Sequence, residues 1–196
     1  SRPVWIPLGT PVTTIATPHR GTKIADGVLG MLKYLPARQV DELTDAVLSL
    51  VQKTAYELKT DPAFRQQLLL LSEKHMKEVF NPKYVDAPGV VYKSYAGRTN
   101  LRSGVFACDG STYPNEPLKL DAAQVALLPT AIFLEEGMLK VNDGLVTVEN
   151  AKWGTFEQCV PADHLKEVGL LGPAAASFDH VALFRDVVAR IRKAGL

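Results

Sequence analysis

The chain has 196 residues, 46% hydrophobic and 22% charged, which suits a single globular domain with a real core. A net charge of +1 gives no electrostatic grip on nucleic acid or anionic lipid, and no apolar run reaches the length of a membrane span. Two cysteines, Cys108 and Cys159, do not make a disulfide framework; they can pair with each other, but the sequence reads first as holding two packed thiols in a reducing compartment.

In chain order, residues 1–11 carry three prolines and are expected to be irregular. Val12–Thr17 is a β-branched run closed by Pro18 and is predicted as a buried strand. Helical periodicity follows in Ile24–Leu35. It continues through Val40, Leu43, Val47, Leu50, Val51 and Leu58, and again through Phe64, Leu68, Leu71, Met76 and Val79. Asp61 and Pro62 read as the start of the last stretch, and Asn81-Pro82 as its stop. The helical block spans about residues 24–80, longer than a simple crossover needs, and reads as a cap or lid.

Val90–Ala96 is predicted as a second strand, and residues 97–128 mostly as loop. Thr130–Leu134 and Leu145–Val148 are short strand candidates around the turn Asn142-Asp143-Gly144. Residues 160–176 read as loop. Asp179–Ala194 is a closing amphipathic helix, with Val181, Leu183, Phe184, Val187, Val188 and Ile191 as its apolar face. Arg190, Arg192 and Lys193 suit the negative end of its dipole. The succession of elements is that of an α/β fold in one domain, residues 1–196.

Two side chains stand out chemically. Asp143 sits in a turn next to an apolar run, where open α/β sheets build their sites, although Asn-Asp-Gly is also an ordinary turn. His164 lies in a loop about 20 residues later, before the closing helix. A carboxylate on one imidazole nitrogen fixes the tautomer and leaves the other nitrogen as a base. The order acid, histidine, helix matches the later part of the Ser…Asp…His order of α/β-hydrolases. His75 and His180 read as packing or surface residues. No serine among Ser1, Ser49, Ser72, Ser94, Ser103, Ser111 and Ser177 lies in a G-x-S-x-G turn, and neither cysteine does. An Asp–His pair without a nucleophile forms no acyl-enzyme.

The chain resembles the triacylglycerol lipases of the α/β-hydrolase fold, in particular the fungal mitochondrial group and its Pseudomonas/Burkholderia-type relatives. The resemblance rests on Thr13-Thr14-Ile15-Ala16-Thr17-Pro18-His19-Arg20-Gly21 and on Phe80-Asn81-Pro82-Lys83 through Pro88-Gly89-Val90 to Tyr92-Lys93-Ser94-Tyr95. It continues in Asn142-Asp143-Gly144-Leu145-Val146, Ala151-Lys152-Trp153-Gly154 and Asp163-His164-Leu165. It runs from Val12 to Leu196, with Leu101 to Pro129 unmatched.

The resemblance implies the C-terminal half of an α/β-hydrolase: a partial, mostly parallel sheet with flanking helices and a helical lid at about 24–80. It implies Asp143 as triad acid and His164 as triad base. The nucleophile strand and oxyanion loop would precede Val12 and are missing from this sequence. Bacterial relatives bind a structural calcium through an aspartate two residues after the histidine. Here that position is Lys166, so no calcium site is expected and no other metal or cofactor is implied.

The expected function is a non-catalytic accessory subunit of a larger assembly, with an intracellular, mitochondrial setting suggested by the fungal resemblance and the absent initiator methionine. The alternative is the acid/histidine half of an active lipase whose G-x-S-x-G half lies on a separate segment. A lipid-binding protein using the old acyl pocket ranks below both. In each case another chain or a preceding segment is expected to cover the open edge of the Val12–Thr17 strand.

Overall fold

The computed structural model describes residues 11–32, 63–99, 122–136, 140–169 and 178–193. The expected helix over residues 40–58, its Asp61-Pro62 successor start and most of the unmatched middle lie outside these residues. Three parallel strands form the centre: β1 (Pro11–Ile15), β2 (Val91–Gly97) and β3 (Thr155–Val160), in that spatial order. Both pairings are parallel, so β2 is the inner strand and β1 lies at an edge of the described sheet. A parallel sheet with helical crossovers is the α/β class expected from the sequence.

β2 shows why its prediction succeeded. Its second half, Ser94 to Gly97, is buried, as an inner strand covered on both faces must be. On one side Tyr95 joins Val160, Ala162, Leu183 and Val187, with Ile15 and Ile191 packed around them. On the other, Ala96 and Cys159 join Val146, Val148 and Ala151. Between Ser94 and Tyr95 the register to β3 shifts by one residue, so Ser94 pairs with Phe156 and Tyr95 with Gln158. The extra residue, Glu157, binds Lys93 Nζ at 2.7 Å and lies 3.4 Å from Arg190.

The helices after β1 are α1 (Lys23–Leu32), α2 (Ala63–Leu71) and α3 (Glu73–His75), followed by a π-helical stretch (Met76–Phe80) and α4 (Asn81–Lys83). The single apolar stripe expected from Phe64 to Val79 is not kept: Leu68 is buried with Ala25 and Val28, while Leu71 and Val79 are exposed. The break falls at Ser72, whose extended backbone starts a new helix and whose Oγ accepts the His75 N–H. Asn81-Pro82 does not stop the run either. Proline fits the first positions of a helix, so it opens α4. The described part of this block is tied to the rest by Glu73 N–H to Asp26 Oδ2 (2.8 Å), Thr22 N–H to the Leu71 carbonyl (2.9 Å) and Asn150 Nδ2 to Glu73 Oε1 (2.7 Å).

Three further expectations fail. Thr130–Leu134 is not a strand but the end of α5 (Ala122–Glu135), whose start also falls in the expected loop. Gln124, Leu127, Ala131 and Leu134 are buried at helical spacing, yet the exposed positions Val125, Ile132 and Phe133 are apolar too, which erases the period from the sequence. Leu145–Val148 is not a strand: Asn142 and Thr147 make one isolated antiparallel bridge, and Thr147 then caps α6 (Val148–Ala151). β3 is a strand that the sequence reading did not anticipate. Nor is Cys159 a free thiol. It is fully buried in β3 and disulfide-bonded. The chain's other cysteine, Cys108, lies outside the described residues.

α7 (His180–Lys193) closes the fold within one residue of expectation, capped by Asp179, whose Oδ1 accepts the Ala182 N–H at 2.9 Å. Leu183 and Val187 are buried against the sheet, but Val181, Phe184 and Val188 of the same predicted face are exposed. No helix among the described residues is long and apolar enough to cross a membrane.

Gly154 turns the chain into β3 at φ +57°, with a Cβ position that would collide with the carbonyl of Tyr92. Gly30, in α1, has open space at its Cβ position. Gly154→Ala is expected to lower unfolding free energy by about 2–4 kcal/mol. Gly30→Ala is expected to be neutral or to stabilise by up to about 1 kcal/mol. Urea denaturation of the two variants checks both.

Candidate functional site

All three strands run the same way, so the loops after Ile15, Gly97 and Val160 leave from one end of the sheet. Both residues singled out from the sequence are at that end. Backbone bonds join Arg98 N–H to the Val160 carbonyl (3.0 Å) and Thr99 N–H to the Asn142 carbonyl (2.7 Å), which pins the acid turn beside β2 and β3. The carboxyl end of a parallel sheet is where α/β folds build sites.

The acid turn is closed by its own side chains. Asn142 Oδ1 accepts the Gly144 N–H at 2.9 Å. Asp143 Oδ1 accepts two backbone hydrogens, from Leu145 at 2.8 Å and Val146 at 2.7 Å. Gly144 sits at φ +98°, and a Cβ there would press on the Leu127 side chain of α5, so a side chain at this position would be strained and crowded. Thr22 Oγ1 donates to the Leu145 carbonyl at 2.6 Å, which braces the turn from the loop after β1. The Asp143 side chain is 1% exposed.

With Oδ1 committed to the turn, Oδ2 is free to face the histidine. His164 Nδ1 lies 2.8 Å from Asp143 Oδ2. The His164 backbone N–H also donates to the Asp143 carbonyl at 2.9 Å, so the two residues are joined twice. The imidazole is 31% exposed, and Nδ1 is the nitrogen committed to the acid. Burial lowers the pKa of His164, but the charge and hydrogen bond of Asp143, with the charge of Asp163, outweigh it and hold the group above its ordinary value.

The turn carrying His164 is built on Asp163. Its Oδ1 accepts the backbone N–H of Leu165 (3.1 Å) and Lys166 (3.0 Å), and its Oδ2 is 3.1 Å from Lys166 Nζ. Both side chains of that ion pair are almost wholly buried. Lys166 thus places an ammonium against the buried aspartate.

Glu167 escaped the sequence reading. It is 1% exposed and lies beside Asp143 and His164. Burial, together with the charges of Asp143 and Asp163, pushes its carboxyl well above the usual range. The absent side chain of Gly97 makes the space that Glu167 Oε1 fills. The spacing Asp163-His164-Leu165-Lys166-Glu167 carried the signal, because one tight turn returns position 167 to the sheet end, but only the turn itself reveals it.

The other histidines are apart from this pair. His180 starts α7 with its ring against Gly169, and His75 ends α3. His19 stacks on Trp153 with ring centroids 5.3 Å apart, and its Nε2 is 2.9 Å from Thr14 Oγ1. Burial and the neighbouring Arg20 lower its pKa, with Asp86 partly opposing them. Asn81 Nδ2 donates to the His19 carbonyl at 2.8 Å, and Arg20 donates to the carbonyls of Glu149 (2.6 Å) and Lys152 (2.7 Å). The loop after β1 is therefore a structural junction between the helical block and α6.

Asp143→Asn keeps an oxygen for the Leu145 and Val146 N–H groups but replaces the charge that faces Nδ1. The pKa of His164, followed by NMR, is expected to fall in this variant. A raised native value means the ion pair stabilises the fold fully below about pH 6.5 and loses that contribution as pH rises through the native value. The stability gap between wild type and variant is therefore expected to narrow above pH 6.5 in urea titrations. The chain matches no known family model.

Proposed function

We propose that this chain is the acid- and histidine-bearing part of a lipase-like ester hydrolase of the α/β-hydrolase fold, and that it works with a serine supplied by a segment outside this sequence. The observation that carries the reading is the Asp143–His164 pair: a buried carboxylate with one oxygen fixed by two backbone donors and the other 2.8 Å from Nδ1. That arrangement puts the hydrogen on Nδ1, leaves Nε2 as the proton acceptor and stabilises the imidazolium formed when a hydroxyl attacks an ester carbonyl. His164 would return the proton to the leaving alcohol, and the same cycle would release the acid with water as nucleophile. The resemblance to triacylglycerol lipases supports an acyl-glycerol substrate class and a lid role for the helical block.

A second reading, a non-catalytic subunit of a larger and mitochondrial assembly, is favoured by the absence of any G-x-S-x-G in the sequence. The retained geometry of the pair weighs against it, because packing alone does not require an imidazole held by a buried acid. Both readings place a partner segment on the edge of β1 that is unpaired among the described residues.

The test uses the protein isolated with whatever it is bound to in its native source. A fluorophosphonate is expected to label a serine on a polypeptide segment other than residues 1–196. The preparation is expected to hydrolyse a short-chain nitrophenyl ester, and His164→Ala to lower kcat by about 10³-fold or more. An assembly of fixed stoichiometry with no labelled serine, and with properties unaltered by His164→Ala, overturns the hydrolase reading in favour of the subunit.

A further inference from the structure

Glu167 has no place in the acid–histidine arrangement above, and its Oε1 is buried with no hydrogen-bond partner among the described residues. An unpartnered carboxylate oxygen in the protein interior is costly, and natural folds rarely leave one without a use. The positive side chain next to it in sequence, Lys166, is engaged with Asp163 at 3.1 Å. Beside it stand the two groups of the pair itself: one ligand atom each from Asp143, His164 and Glu167 all lie within 4.8 Å of one another.

We propose that Asp143, His164 and Glu167 form a binding site for a divalent transition-metal ion of the zinc class. One imidazole nitrogen with two carboxylate oxygens is a donor set that suits zinc or cobalt, whereas calcium prefers oxygen alone. Metal–ligand bonds of about 2.0–2.2 Å place neighbouring ligand atoms roughly 2.9–3.4 Å apart. The 2.8 Å between His164 Nδ1 and Asp143 Oδ2 is close to such an edge. A carboxylate oxygen of Glu167 supplies the third corner. Asp143 keeps Oδ1 on the Leu145 and Val146 N–H groups, which holds the ligand oxygen rigid as second partners of metal ligands do. The exposed part of His164 gives an ion and its remaining water ligands access from solvent.

The ion takes the place of the hydrogen between Nδ1 and Oδ2, and that hydrogen moves to Nε2, so the imidazole stays neutral. Nε2 is then unable to accept a proton, so metal occupancy silences the pair as a general base. This consequence rests on the hydrolase reading; the binding itself does not.

The full chain, treated with a chelator and exchanged into buffer that does not bind metal, is titrated with cobalt and, separately, with zinc by calorimetry. One ion per chain and a visible cobalt absorption band of nitrogen–oxygen coordination are expected. Glu167→Gln and His164→Ala are each expected to weaken zinc binding at least tenfold, while Glu149→Ala, an exposed carboxylate elsewhere, leaves it unchanged. Circular dichroism confirms that each variant is folded, and if one fails to fold the other decides. Absence of stoichiometric binding, or undiminished binding in a folded Glu167→Gln or His164→Ala chain, overturns the site. A chain that binds zinc but takes part in no ester hydrolysis keeps the metal site and sinks only the hydrolase reading.

Discussion

The site depends on the division of labour between the two oxygens of Asp143. Oδ1 closes the turn by taking the Leu145 and Val146 N–H groups, and only because it is so fixed does Oδ2 face His164 at 2.8 Å. A carboxylate that is 1% exposed must meet its hydrogen-bonding needs within the protein, and this one meets them from a turn on one side and an imidazole on the other. The backbone bond from His164 N–H to the Asp143 carbonyl closes a second link between the same residues. Two bonds at different points fix the ring orientation as well as its position.

The sheet supplies the platform. Parallel pairing sends three strand ends in one direction, and the backbone bonds after Gly97 and Val160 carry that order into the loops. The helical block contributes from outside through Thr22, Asp26, Glu73 and Asn150, a chain of polar contacts linking α1, α3, α6 and the acid turn. Asp163 plays for the histidine turn the part that Asn142 plays for the acid turn: a short polar side chain that binds nearby backbone hydrogens and so defines a tight bend.

Much of this was legible in the residues. β2, α1 and α7 follow from local pattern, and Asp143 and His164 stand out in the sequence because turn chemistry and loop position are local properties. What stayed hidden was of three kinds. α5 is apolar on exposed and buried faces alike, so Val125, Ile132 and Phe133 masked its helical period. β3 mixes polar Glu157 and Gln158 with its apolar residues, and its bulge breaks the alternation by which strands are recognised. Glu167 and the bonded state of Cys159 are tertiary facts: each depends on what a fold brings alongside, and a linear reading contains no term for that. The helix break at Ser72 falls between, since serine is a recognisable cap but the apolar spacing around it argued for continuity.

Gly97 and Glu167 share one volume. A methyl group at position 97 would overlap the Glu167 carboxyl and press on the carbonyl of Ala162, whereas a shorter acid at 167 would leave a void against the strand end. Neither residue can therefore drift alone. Across the descent of this protein the two positions should change as a couple, a larger residue at one accompanying a smaller one at the other, and their joint history would record how long the buried carboxyl has been kept.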